Sequence, residues 1–169
     1  GRGEISASVD ATGTYASNVF GNHDAVADYS STVAPRLSYQ RKAGQLEADA
    51  TAGISFIRYV DQTELNAENV DASATIRTNQ AEARNYNGSL AAAYRESSDV
   101  NSDINTRIET KDTSFNGHGT FTTGPRTDVV LSANYDDSRR SLGSDQQYFT
   151  SSALWDYKDF FYGHSLNLS

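Results

Sequence analysis

Apolar and polar residues alternate along most of this chain, in runs separated by polar connections. Within 29–56 the odd positions Tyr29, Ser31, Val33, Pro35, Leu37 and Tyr39 are apolar or small. After "RKAG" the even positions Leu46, Ala48, Ala50, Ala52, Ile54 and Phe56 take over. A period of two predicts strands with two different faces. Runs of about eleven residues are roughly twice the usual strand length in soluble domains.

The pattern predicts nine strands. The first covers about 4–15, with Ile5, Ala7, Val9, Ala11, Gly13 and Tyr15 on one face. The second and third are the runs above, joined by a tight turn at "RKAG". The fourth carries Val70, Ala72, Ala74 and Ile76, and the fifth Tyr86, Gly88, Leu90, Ala92 and Tyr94. The sixth carries Thr113, Phe115, Gly117, Gly119 and Phe121, and the seventh Val129, Leu131, Ala133 and Tyr135. The eighth carries Phe149, Ser151, Ala153, Trp155 and Tyr157, and a ninth starts at Phe160. "ASNVFGNHDAV", "RYVDQTELNAE", "ESSDVNSDINTRIETKD" and "DSRRSLGSD" read as long connections; "RKAG", "RTNQ", "TGPR" and "KD" read as short ones.

Long and short connections therefore alternate, which predicts an antiparallel up-and-down meander with all short turns at one end. That sorting belongs to a transmembrane β-barrel rather than to a sandwich with Greek-key crossings. Pro35 lacks a ladder donor, so a bulge or irregular pair is expected there. Asn87-Gly88 is a hairpin signal, and a turn at that point would displace the fourth and fifth strands.

The faces differ in kind. Tyr29 and Tyr39 stand ten residues apart with Val33, Pro35 and Leu37 between them. That is about 33 Å along a strand, or about 25 Å along the normal of a membrane crossed at a tilt. Tyr15, Tyr29, Tyr39, Tyr86, Tyr94, Tyr135 and Trp155 are the candidates for two aromatic girdles, since such rings bridge apolar and aqueous layers. The other face is hydrophilic and has to meet water, because buried charges would lack partners. Asp10, Arg36, Glu47, Asp49, Asp71 and Arg95 are the candidates for facing a wet lumen. Acids there (Glu4, Asp28, Asp128, Asp136 and Asp156 as well) outnumber the arginines Arg36, Arg77 and Arg95. Such an arrangement permits a transverse field with a mild cation preference. Solvated charge with no selective role is the simpler reading and the preferred one.

Composition limits the alternatives. At 169 residues one domain, spanning 1–169, is expected. Only 37% of residues are hydrophobic and the mean hydropathy is negative, little for a dry core. Disorder is opposed by the regular alternation and the 11% aromatic content. A formal charge of -8 without a Lys/Arg cluster argues against nucleic acid as a partner. There is no Cys, hence no disulfide framework, and no apolar run of about 18 residues, hence no transmembrane helix. The first residue is not Met, so the chain reads as a mature or trimmed product.

Chemistry-bearing motifs are few. Asp99, Asn101, Asp103 and Asn105 alternate like the start of a calcium loop, but Ile104 and Thr110 stand where an EF-hand needs Gly and Glu. A loose loop site at Asp99, Asn101 and Asp103 is the one metal candidate. His23, His118 and His164 lack paired ligand spacing. No nucleophile elbow, Walker loop or dinucleotide fingerprint is present, so no enzyme activity and no cofactor are expected. The sequon matches at Asn87 and Asn167 fall in predicted strands.

With "TGTYASNVF" at 12–20, an acidic step at Asp28 and "VAPRLSYQRKAG" at 33–44, the chain resembles a β-barrel porin family of bacterial outer membranes found beside exopolysaccharide systems. Asn18, Pro35, Leu37 and Gly44 hold the places of that family's loop Asn, Pro-Xaa-Leu strand and Gly turn. The resemblance implies an outer-membrane location and a hydrophilic lumen for passage or guidance of hydrophilic solutes. It implies lipid and lipopolysaccharide as surroundings, with other envelope proteins or polysaccharide as partners. Family members are about twice this long and bacterial barrels have even strand numbers, so the chain is expected to be the N-terminal portion of a larger barrel. The rival expectations are a non-conducting outer-membrane anchor or assembly module, and a secreted all-β fibre subunit.

Overall fold

The computed structural model describes residues 2–21, 23, 25–79, 85–101, 103, 106–124, 127–143, 145–157 and 164–168, with side chains as far as residue 154. Nine strands form one antiparallel sheet in sequence order: β1 (Gly3–Ala16), β2 (Asp28–Ala43), β3 (Leu46–Tyr59), β4 (Ala67–Thr78), β5 (Tyr86–Asn101), β6 (Thr106–Gly124), β7 (Thr127–Arg140), β8 (Gln146–Tyr157) and β9 (His164–Leu168). One 3-10 turn, Thr63–Leu65, precedes β4. Among the described residues β1 pairs only with β2 and β9 only with β8, so the sheet is open.

The ladders carry one apolar set across all the strands. Ile5 faces Tyr39, Tyr39 faces Ala50, Ala50 faces Ala74, and Ala74 faces Ala92. Ala92 faces Phe115, which faces Tyr135, which faces Phe149. Directly opposed residues of an antiparallel pair share a face. The two-residue period therefore keeps its phase through every turn, and a slip of one residue anywhere would have inverted the strands beyond it.

Among the described residues no interior core covers this face. Among the described residues seventeen large apolar side chains are exposed, and fourteen of them lie on it, from Ile5 and Val9 at 69% and 66% to Phe149 at 69%. Among the described residues the buried apolar side chains are Phe20, Leu65 and Ala67, all at or beside loops. Full burial of such a side chain is worth about 1.5–3 kcal/mol. Leaving fourteen of them about half wetted costs on the order of 10–20 kcal/mol, as much as a whole domain's net stability.

Two expectations change in detail. First, the connections do not alternate strictly in length. The long polar stretch 96–112 is mostly ladder, with sixteen pairs running from Tyr86↔Phe121 to Asn101↔Thr106 and only 102–105 between the strands. Its Ser, Thr, Asp and Asn side chains are polar on both faces, so no apolar period marked the strands there. The supposedly short turn at "RTNQ" spans 79–85, as long as the 60–66 connection. Second, Pro35 sits opposite Val9 with no register shift in β1–β2. The β2–β3 ladder instead skips Ala34 and Pro35 and resumes in the same register at Arg36↔Gly53. Among the described residues the register shift lies at Thr122/Gly124 in β6–β7. The ninth strand is described over His164–Leu168, and its expected start at Phe160 lies outside the described residues. Asn87-Gly88 makes no turn: both residues pair within β5–β6, opposite Thr120 and Gly119.

Candidate functional site: the polar face and its charged ladder

The six lumen candidates share one face. Asp10 on β1 faces Ala34, Arg36 faces Gly53, Gly53 faces Asp71, and Asp71 faces Arg95. Arg95 in turn faces Asp112, which faces Ser138. One row of directly opposed residues therefore reads Ser8, Arg36, Gly53, Asp71, Arg95, Asp112, Ser138. Cation and acid alternate along it once the glycine is passed.

The glycine lets the pair form. The Arg36 guanidinium reaches over β3 to Asp71, with Nη2 3.0 Å from the carboxylate. A Cβ on Gly53 would stand 2.9 Å from Asp71 Oδ1 and 3.5 Å from the guanidinium. A glycine inside a long strand marks such close approaches, and this was the available sequence signal. At the far end Ser138 donates to Asp112 at 2.6 Å.

A second cluster lies nearer the 44–45 turn. Arg77 donates to Glu47 at 3.0 Å and lies 3.4 Å from Asp49, while Lys42 lies 3.5 Å from Glu47. Gln40 donates to Asp49 at 3.0 Å, and Thr51 and Ser73 share a hydrogen bond of 2.8 Å. Glu4, Ser6, Ser38, Gln40, Asp49 and Thr51 line a shallow polar hollow of about 280 Å³. Every one of these groups comes from the polar phase of β1 to β4.

The larger hollow, about 700 Å³, belongs to the opposite face. There Gly88, Gly117 and Gly119 leave the backbone bare between Leu90, Phe115, Phe121 and Leu131. Its lining is mainly apolar, with Arg77, Tyr86 and His118 also contributing.

The aromatic candidates fall at the ends of the apolar set and are staggered. Tyr15 and Tyr29 are opposed on β1 and β2 with ring centroids 4.7 Å apart. Tyr39 faces Ile5 and packs over Gly3, while Tyr86 faces Phe121. Tyr94 faces Thr113 and Tyr135 faces Phe115; Trp155 pairs with Val129, and its side chain lies outside the described set. Measured against the charged row, Tyr29 stands seven residues from Arg36 but Tyr94 stands beside Arg95. The aromatic line thus slides along the strands. The charged ladder consequently crosses obliquely, from the middle of the apolar span on β2 to its edge on β6.

Asp28 departs from its expected place among the lumen acids. It is buried at 2% exposure and accepts hydrogen bonds from the backbone N–H of Tyr29, Asp61 and Gln62, the last at 2.8 Å. Val60 N–H donates to Tyr29 O, and Tyr59 N–H to Asn66 Oδ1. The 60–66 connection is thereby fastened to the start of β2. Burial alone would raise the Asp28 carboxyl, but the N–H donors of Gln62, Asp61 and Tyr29 outweigh it and hold its pKa below the ordinary 3.8.

In the calcium candidate, Asn101 Oδ1 accepts the Asp103 N–H at 2.9 Å and so closes a turn. Among the described residues no three His, Cys, Asp or Glu converge as metal ligands. No known protein family, curated protein or solved structure matches this chain.

Proposed function

We propose that this chain forms part of the wall of a bacterial outer-membrane β-barrel, with lipid and lipopolysaccharide against its apolar face and water in a lumen along its polar face. Hydrophilic solutes would pass or be guided along that lumen without chemistry. The observation that carries the reading is the uncovered apolar face, continuous in phase over the sheet and edged by aromatic side chains. A face of that kind has to be covered, and an antiparallel sheet with its other face charged suits a lipid exterior around a wet interior. On this reading the chain would stand with the porin-like barrels that its first third resembles, with further strands closing the sheet.

One feature favours a second reading, in which the barrel is a non-conducting anchor or assembly module. The β5–β6 ladder continues to Asn101↔Thr106, while the β4–β5 ladder stops at Asp71↔Arg95 and the β6–β7 ladder at Thr110↔Arg140. The β5–β6 hairpin therefore projects beyond its neighbours and offers an edge to other envelope components.

The test is the native protein extracted from membranes and run on a denaturing gel, unboiled and boiled, followed by reconstitution into planar bilayers. A mobility shift on boiling together with ion conductance supports the passage reading. A shift without conductance supports the anchor. Protein in the soluble fraction without a shift overturns both and favours a secreted fibre subunit.

A further inference from the structure

Pairing on the polar face leaves its charges unequal. Arg36 is held by Asp71, and Lys42 and Arg77 by Glu47 and Asp49, so three cations and three acids cancel locally. The rest of the face does not cancel. Glu4 and Asp10 on β1, Asp99 on β5 and Asp136 on β7 have no ion-pair or hydrogen-bond partner among the described residues, and Asp112 accepts only from Ser138. Among the described residues, against these five acids stand Arg95 and Arg140 on the strands and Arg2 just before β1, none with an acid partner for its side chain.

Resting on the passage reading above, we propose that the polar face selects small cations over anions, with Glu4, Asp10 and Asp136 as the residues that set the preference. Unpaired carboxylates on a low-dielectric wall project their field into the adjoining water, whereas the paired clusters act as dipoles whose field falls off quickly. The Debye length is about 8–10 Å at 0.1–0.15 M salt, so side chains on a narrow lumen remain within reach of a passing ion. Glu4 strengthens the case because it borders the polar hollow with Asp49, whose charge already serves Arg77 and Gln40. Arg95 lies opposite Asp71 and Asp112 in the ladder, so its charge falls nearest those two acids and not Glu4, Asp10 or Asp136.

The experiment uses the complete protein in planar bilayers under a potassium chloride gradient, with the reversal potential as readout. The parent is expected to favour K⁺ over Cl⁻. The triple variant Glu4→Gln, Asp10→Asn, Asp136→Asn is expected to lower that permeability ratio about twofold or more, with the difference shrinking at 1 M salt, where screening shortens to about 3 Å. These neutral replacements remove no bonded partner, and an unchanged gel shift on boiling verifies folding. A parent that is unselective or favours Cl⁻, or a triple variant with an unaltered ratio, overturns the inference while leaving passage intact. A folded protein that passes no ions overturns passage and selectivity together.

Discussion

Arg36 and Asp71 meet across an intervening strand, 3.0 Å apart, through the space that Gly53 leaves. Neither residue is adjacent to the other in the ladder order: β2 and β4 are joined here over the top of β3. Both side chains are partly exposed, at 46% and 37%, so the pair contributes no more than about 1 kcal/mol. Its effect is to hold a guanidinium and a carboxylate in fixed places on the polar face.

A coupling measurement follows from that geometry. Gly53→Ala places a methyl group in the gap, and Arg36→Ala removes the cation. Urea unfolding from lipid vesicles should show each change costing about 1 kcal/mol or less, and the double variant costing less than their sum because both break one contact. Strict additivity would show that the glycine is not what permits the pair.

A charge placed on the two faces should separate them sharply. Leu37→Arg and Ala92→Arg introduce a cation within the apolar set, where a bilayer midplane position costs about 2–4 kcal/mol. Ser38→Arg, one residue from Leu37, turns toward the polar phase and should cost under about 0.5 kcal/mol. The folded fraction in vesicles, read by the gel shift, measures both.

The Asp28 fastening has a defined response to acid. Asp28 precedes the girdle position Tyr29 and lies outside the apolar span. Its folded pKa is lowered below 3.8, so the stability it contributes is fully present above the unfolded value. That contribution is lost as pH falls through the lowered folded value. The amide resonances of Asp61 and Gln62 should therefore hold steady from pH 7 to about 4 and move below it. Asp28→Ala should shift the same two resonances at neutral pH and speed proteolysis within 60–66.

Much of the fold was legible because side-chain size and polarity report strand phase directly. Leu46, Ala48, Ala50 and Ala52 could occupy one face of a strand and no other regular arrangement of that length. The 96–112 stretch was not legible because Ser97, Ser98, Thr106 and Thr110 suit either face, so polarity marked no strand. Asp28 was grouped with the lumen acids on its parity alone. Its burial depends on the 60–66 connection folding back onto β2, a contact some 33 residues distant that periodicity does not carry. The charged row needed the register of seven strands at once, which alternation within each strand leaves open.

The chain has no cysteine, so single replacements along β2 report the medium at each position directly. In intact membranes a charged, water-soluble thiol reagent should modify Ser30→Cys, Thr32→Cys and Ser38→Cys readily. Val33→Cys and Leu37→Cys should react on the order of 10-fold more slowly until the membrane is dissolved in denaturant. Equal reactivity at odd and even positions would mean that water reaches both faces, and the account of a lipid exterior around a wet interior would be wrong.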